Sequence, residues 1–174
     1  MSLTDRPYLA MALNNAWSNA TLYRALSAVD DAAFAAPRPG FFGSLRATMN
    51  HIYAVDLYYV DALTEGGRGR AVFDREDTGS PSALATAQAE VDMAFAQFCG
   101  RADAQALQQV RMTERSARSF PERVDALILH LIQHQVHHRG QAHVQLQHAG
   151  IAPPQLDEFY LEFDRAPEAE VYWA

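Results

Sequence analysis

Hydrophobic residues recur at three- and four-residue intervals in four long stretches of this sequence, separated by segments rich in Gly, Pro and Asp. That spacing lines one face of a helix and marks it for burial. The first stretch, from about Thr4 to Ala28, puts Tyr8, Met11, Ala12, Leu22, Tyr23 and Leu26 on one stripe, together with Asn15 and Asn19. The prolines and glycines of AAPRPGFFGS end it. Ser44 is a natural N-cap for a second helix, from Leu45 to about Thr64. Beyond the polar, Gly-rich loop EGGRGRAVFDREDTGSPS, a third helix is expected from Ser82 to about Cys99. The weaker stretch Ala102 to Phe120 reads as a short helix and an irregular excursion. A fourth long helix is predicted over Pro121 to His148. Pro121 then stands in the first turn, where its missing N–H costs nothing, and Gly150 lies just past the end. The tail IAPPQLDEFYLEFD is expected to pack back onto the helices. Four amphipathic helices of this length make an all-α helix bundle the expected architecture.

A chain of 174 residues, 49% of them hydrophobic, fits one domain over residues 1–174, large enough to bury a core without disulfides. Cys99 is the only cysteine, which excludes an internal disulfide and any CxxC metal site. A reducing, cytoplasmic compartment is therefore expected. The start MSLTDRPYLA lacks the basic and apolar regions of a signal peptide, and no apolar run is long enough for a membrane span. The formal charge is −7, and all 14 basic residues are arginines scattered along the chain. With no basic stripe to follow a phosphate backbone, no nucleic-acid partner is expected.

Candidate chemistry lies in the fourth helix. Five of the seven histidines fall between His130 and His143, in HLIQHQVHHRGQAH. At about 100° per residue, with His130 as zero, Leu131, Val124, Ala142, Ile128, Leu146 and Ile132 fill a sector from about 100° to about 200°. His134 falls at about 40° and His138 at about 80°, at the border of that sector. His137, at about 340°, and His143, at about 220°, lie elsewhere. His134 and His138, one turn apart, are the pair able to point jointly inward and grip one metal ion. A third ligand is expected from another buried face. His51, among Ala47, Thr48, Val55, Tyr58, Tyr59 and Ala62 of the second helix, is the remaining histidine that can supply it. Three imidazoles plus water is the pattern of an open zinc site, and nitrogen donors also suit nickel, copper or iron.

His143 and His148 read as solvent-facing. Arg139 falls at about 180°, within the apolar sector, and must snorkel, pair with an anion or enter an interface. Asn15 and Asn19 need partners, since an unpaired buried amide costs roughly 1–3 kcal/mol. Together with Tyr58 and Gln141 they are candidates to surround the metal or line a pocket. Asp56, five residues beyond His51, points elsewhere on an ideal helix. Gln135 stands where a zinc peptidase of HExxH type has its glutamate base, which argues against a peptidase. Trp17 lies opposite Asn15, on a face suited to packing or a dimer contact.

FFGSLRATMNHIYAVD, HLIQHQVHHRGQAHVQLQHAG and the opening NNAWSNATLYRAL, with the spacing between them, resemble the DinB/YfiT-like superfamily over nearly the whole chain. The resemblance implies an up-down-down-up four-helix bundle with long connecting loops. It also implies a divalent metal, zinc or nickel, held by one second-helix histidine and the HxxxH pair, which carries over to His51, His134 and His138. Relatives of this kind include S-transferases and isomerases that use low-molecular-weight thiols. The expected function is thus a metal-dependent enzyme, of thiol S-transferase or hydrolase type, activating a thiol or water for attack on a small electrophile. A homodimer is expected. The alternative is a non-catalytic, metal-stabilised dimeric bundle with a stress-related binding role.

Overall fold

The computed structural model describes residues 5–159 and 165–174. The expected helix start at Thr4 and the tail positions 160–164 lie outside the described residues. Four long helices dominate: α1 (Pro7–Leu26), α3 (Leu45–Thr64), α4 (Pro81–Arg101) and α6 (Val124–His148). Short helices α2 (Asp31–Ala35), α5 (Ala104–Gln108) and α7 (Glu170–Trp173) lie among them, with a 3-10 turn at Gly69–Phe73. Side chains accepting backbone N–H groups begin several of these helices. Ser44 caps α3 through Ala47 N, Ser80 caps α4 through Ala83 N, and Asp30 caps α2 through Ala33 N. Gly150, at φ +77°, follows α6 as anticipated for a helix stop. No helix among the described residues is long and apolar enough to cross a membrane.

The fold is mainly helical but not all-α. Strands β1 (Val110–Arg115) and β2 (Arg118–Arg123) form an antiparallel hairpin where an irregular excursion was expected. Its two-residue loop, Ser116–Ala117, has φ of +47° and +61°, as a tight hairpin turn demands. Such turns favour Asn-Gly, so Ser-Ala concealed this one in the sequence. Pro121 sits in β2 opposite Met112 rather than opening the helix, and α6 begins three residues later at Val124. In a two-stranded sheet both strands are edges, and an edge tolerates a proline. The Tyr58 hydroxyl anchors the hairpin, accepting from Glu114 N and donating to Glu114 O.

α3 packs against both α4 and α6, while α1 packs closely on α4 and less extensively on α6. Their inward faces make two apolar clusters. One contains Leu13, Ala16, Tyr59, Phe95, Leu127 and Leu131. The other contains Leu22, Leu26, Phe34, Met49, Leu84 and Leu146. Between these clusters along the helices lie seven buried polar residues: Asn15 and Asn19 from α1, Asp56 from α3, Gln88 and Asp92 from α4, and Gln135 and Arg139 from α6. The tail reaches back as expected where it is described, with Phe159 fully buried against Trp17.

Candidate metal centre

His134 and His138 project from one side of α6 because four residues make one turn. His51 faces them from α3, which packs directly on α6. One ring nitrogen from each of the three lies within 4.8 Å of the others, and His51 Nε2 stands 3.0 Å from His134 Nε2. Such a head-to-head approach leaves two arrangements: a proton held between the nitrogens, or both lone pairs turned on a shared cation. His134 Nδ1 is buried without a protein partner.

Electrostatics favour neutral rings. Burial, then the nearby His138, lowers His51 from its ordinary value to about 4. Burial followed by His138 and His51 takes His134 to about 3. His138 is lowered too, chiefly by burial, against the opposing effect of its bond to Gln141. Metals bind the neutral imidazole, so these rings need shed no proton at neutral pH. Gln141 Oε1 lies 2.9 Å from His138 Nδ1. As the acceptor of an Nδ1–H proton it leaves Nε2 as the donor lone pair, the usual outer support for a metal-binding histidine. Three neutral nitrogens with an oriented tautomer are a donor set that fits zinc or nickel.

A residue missed in the sequence closes one side. Phe42, in the α2–α3 loop, stacks on His51 with ring centroids 4.3 Å apart and contacts His138 at 5.4 Å. Phe41 beside it is 81% exposed. Gly40 brings this loop onto α6: with φ at +144°, it sits where a Cβ would lie 2.8 Å from Gln145 Nε2. Gln145 itself accepts from the Thr48 hydroxyl at 2.8 Å. The doubled Phe in FFG was visible as a signal, but its position over the histidines depends on a loop conformation that periodicity does not encode.

The other candidates disperse. Tyr58 serves the hairpin. His130 lies against Tyr59, with ring centroids 4.9 Å apart, and His137 is exposed and bonded to Gln141. His148 is exposed, whereas His143 is half-buried and bonds the Pro154 carbonyl, which corrects its solvent-facing assignment. Asn15 and Asn19 enter the buried polar layer. Their Nδ2 groups donate to Asp92, and their Oδ1 atoms accept from Arg139. Gln135 accepts from Arg139 and donates to Asp56, which holds it away from the imidazoles. Arg139 is therefore fully interior, reaching its anions through amides rather than by snorkelling.

A sequence profile described as DinB family matches residues 1–169. No curated protein matches. The solved structures include a similar fold, the crystal structure of a DinB-like protein from Bacillus cereus ATCC 10987. It is 20% identical with a TM-score of 0.62, and the match covers 80% of this chain and 90% of that one.

Proposed function

Because this chain belongs to the DinB family, we propose that His51, His134 and His138 hold one divalent metal ion, zinc or nickel, and that the protein is a metal-dependent enzyme acting on a small molecule. The observation carrying this reading is the convergence of three ring nitrogens within 4.8 Å, on rings that burial keeps neutral. A divalent ion with an open position supplies a strong nucleophile at neutral pH, from a thiol or from water. The chain's own residues orient and shield. Gln141 fixes the His138 tautomer, and Phe42 excludes water from one side of the trio. The substrate class under this proposal is a small electrophile, with a low-molecular-weight thiol or water as its partner. The up-down-down-up bundle and the cytoplasmic setting belong to the same reading.

A screen of the metal-loaded protein against thiol–electrophile pairs tests it. Thiol consumption that a chelator abolishes and added metal restores is the expected result; no turnover in any loaded form goes against it. The covering of the trio by Phe42 favours a second reading, a metal that only stabilises the fold. In that case chelation lowers the melting temperature sharply and no loaded form turns over. A second copy of the chain is the expected partner under both readings. Leu129, Val136 and Val144, all exposed on the outward side of α6, support it, and a monomeric sedimentation profile would refute it.

A further inference from the structure

The polar layer between the two apolar clusters holds two carboxylates and one cation. Arg139 donates to Asn15 Oδ1, Asn19 Oδ1 and Gln135 Oε1. The same three side chains turn their amide N–H groups on the acids: Asn15 and Asn19 on Asp92, Gln135 on Asp56. Gln88 Nε2 donates to both, at 2.7 Å to Asp56 Oδ2 and 3.1 Å to Asp92 Oδ1. Every amide is thus polarised with its oxygen toward the cation or its nitrogen toward an anion. Reversing Gln88 would aim a carbonyl at two carboxylates.

With both acids ionised, this layer would carry two negative charges against one positive. Excess charge far from water is costly, and a buried acid responds by keeping its proton. The hydrogen bonds show which acid does so. Asp92 accepts from Asn15, Asn19 and Gln88, the donor set of an ionised carboxylate. Asp56 has all its donors on Oδ2, and its Oδ1 is buried without a partner. One other acceptor of the layer is also buried and unpartnered, Gln88 Oε1, on the side chain already bonded to Asp56. A carboxylic acid and an amide satisfy one another through two parallel hydrogen bonds, amide N–H to acid C=O and acid O–H to amide C=O.

We propose that Asp56 and Gln88 form a neutral acid–amide pair, with a proton on Asp56 Oδ1 donated to Gln88 Oε1, and that this held proton leaves Asp92 as the single counter-charge of Arg139. The pair joins α3 to α4, and Gln135 and Arg139 extend the centre to the helix that carries His134 and His138. It stands whether or not the imidazoles hold a metal. Burial, then Asp92, pushes Asp56 up to about 8, and burial pushes Asp92 to about 7 against its donors. Burial lowers Arg139 to about 10, which still leaves it charged at neutral pH. Among the described residues Tyr23 from α1 also faces the centre, its hydroxyl raised well above the ordinary tyrosine value by burial and then by Asp92, with Tyr53 and Arg75 beyond it. The sign follows from linkage. An acid protonated in the folded chain and ionised in the unfolded one contributes stability that is full below its ordinary value and lost as pH rises through about 8.

Infrared spectroscopy of the full chain reads the proton directly. Near neutral pH the wild type is expected to show the C=O stretch of a protonated carboxylic acid, displaced by carbon-13 aspartate and lost as pH is raised past the range of Asp56. Asp56→Asn removes the band and flattens the decline of unfolding free energy between the ordinary aspartate range and about pH 8, because its amide can donate to Gln88 Oε1 without a titrating proton. Asp92→Asn removes the band as well, since Asp56 must then ionise to balance Arg139. Absence of the band in the wild type, or its survival in Asp56→Asn, overturns the proposal. The wild-type titration needs no variant, so misfolding of either substitution leaves the test intact.

Discussion

His138 shows how one side chain's chemistry depends on its neighbour's. Its Nδ1 faces Gln141 Oε1 at 2.9 Å, so the proton is held there and Nε2 remains free for a ligand. Gln141→Leu removes that acceptor while preserving helix propensity. The expected outcome is a drop in zinc affinity of about 10-fold or more with little change in melting temperature, read by titration against a competing chelator. Unchanged affinity would show that the tautomer is fixed in another way. Phe42 and Gln141 differ in how visible they were. Gln141 lies three residues after His138 on the same helix, so its proximity follows from the helical turn. Phe42 reaches the trio only because Gly40, at φ +144°, lets the loop lie against Gln145.

Among the elements, the long helices were legible because their faces are long and their caps explicit. The Ser44 cap, the span of α3 and the Gly150 stop follow from residue type alone. The hairpin was not legible, for three physical reasons. Its turn uses Ser116 and Ala117 at positive φ, its second strand contains Pro121, and its hold on the helices comes from Tyr58, a residue that reads as ordinary core. Tyr58→Phe tests that hold. Losing a hydroxyl that both accepts from and donates to Glu114 should cost about 1 kcal/mol, and should speed hydrogen exchange at the Glu114 amide while leaving α3 amides protected. Equal protection at Glu114 would mean that the hairpin is held by the buried Thr113 and by Arg111 instead.

Across the whole molecule, polar residues placed between two apolar clusters give the helices a register that hydrophobic periodicity leaves loose. Asn15, Asn19 and Arg139 looked anomalous on apolar stripes, and each anomaly is resolved by another: amide oxygens for the cation, amide nitrogens for the acids. Single-helix angles could flag these residues but could not pair them, because pairing is set by how four helices meet. The imidazoles of the same interior have a pH signature. With His51 near 4 and His134 near 3, both below the ordinary 6.5, the folded metal-free chain resists protons that the unfolded chain takes up. Their contribution to stability is therefore present above about pH 6.5 and lost as pH falls through about 4 and then 3. With His138 lowered as well, metal affinity should fall less steeply on acidification than at a site of three ordinary histidines. A steep decline starting near 6.5 would show rings more solvated than their burial implies.

Metal content, measured by elemental analysis after dialysis against zinc or nickel, bears most directly on the trio of His51, His134 and His138. The expected result is one divalent ion per wild-type chain and almost none in His51→Ala or His134→Ala, each still helical by circular dichroism. Equal stoichiometry in the wild type and both variants, or no ion in the wild type, would contradict it.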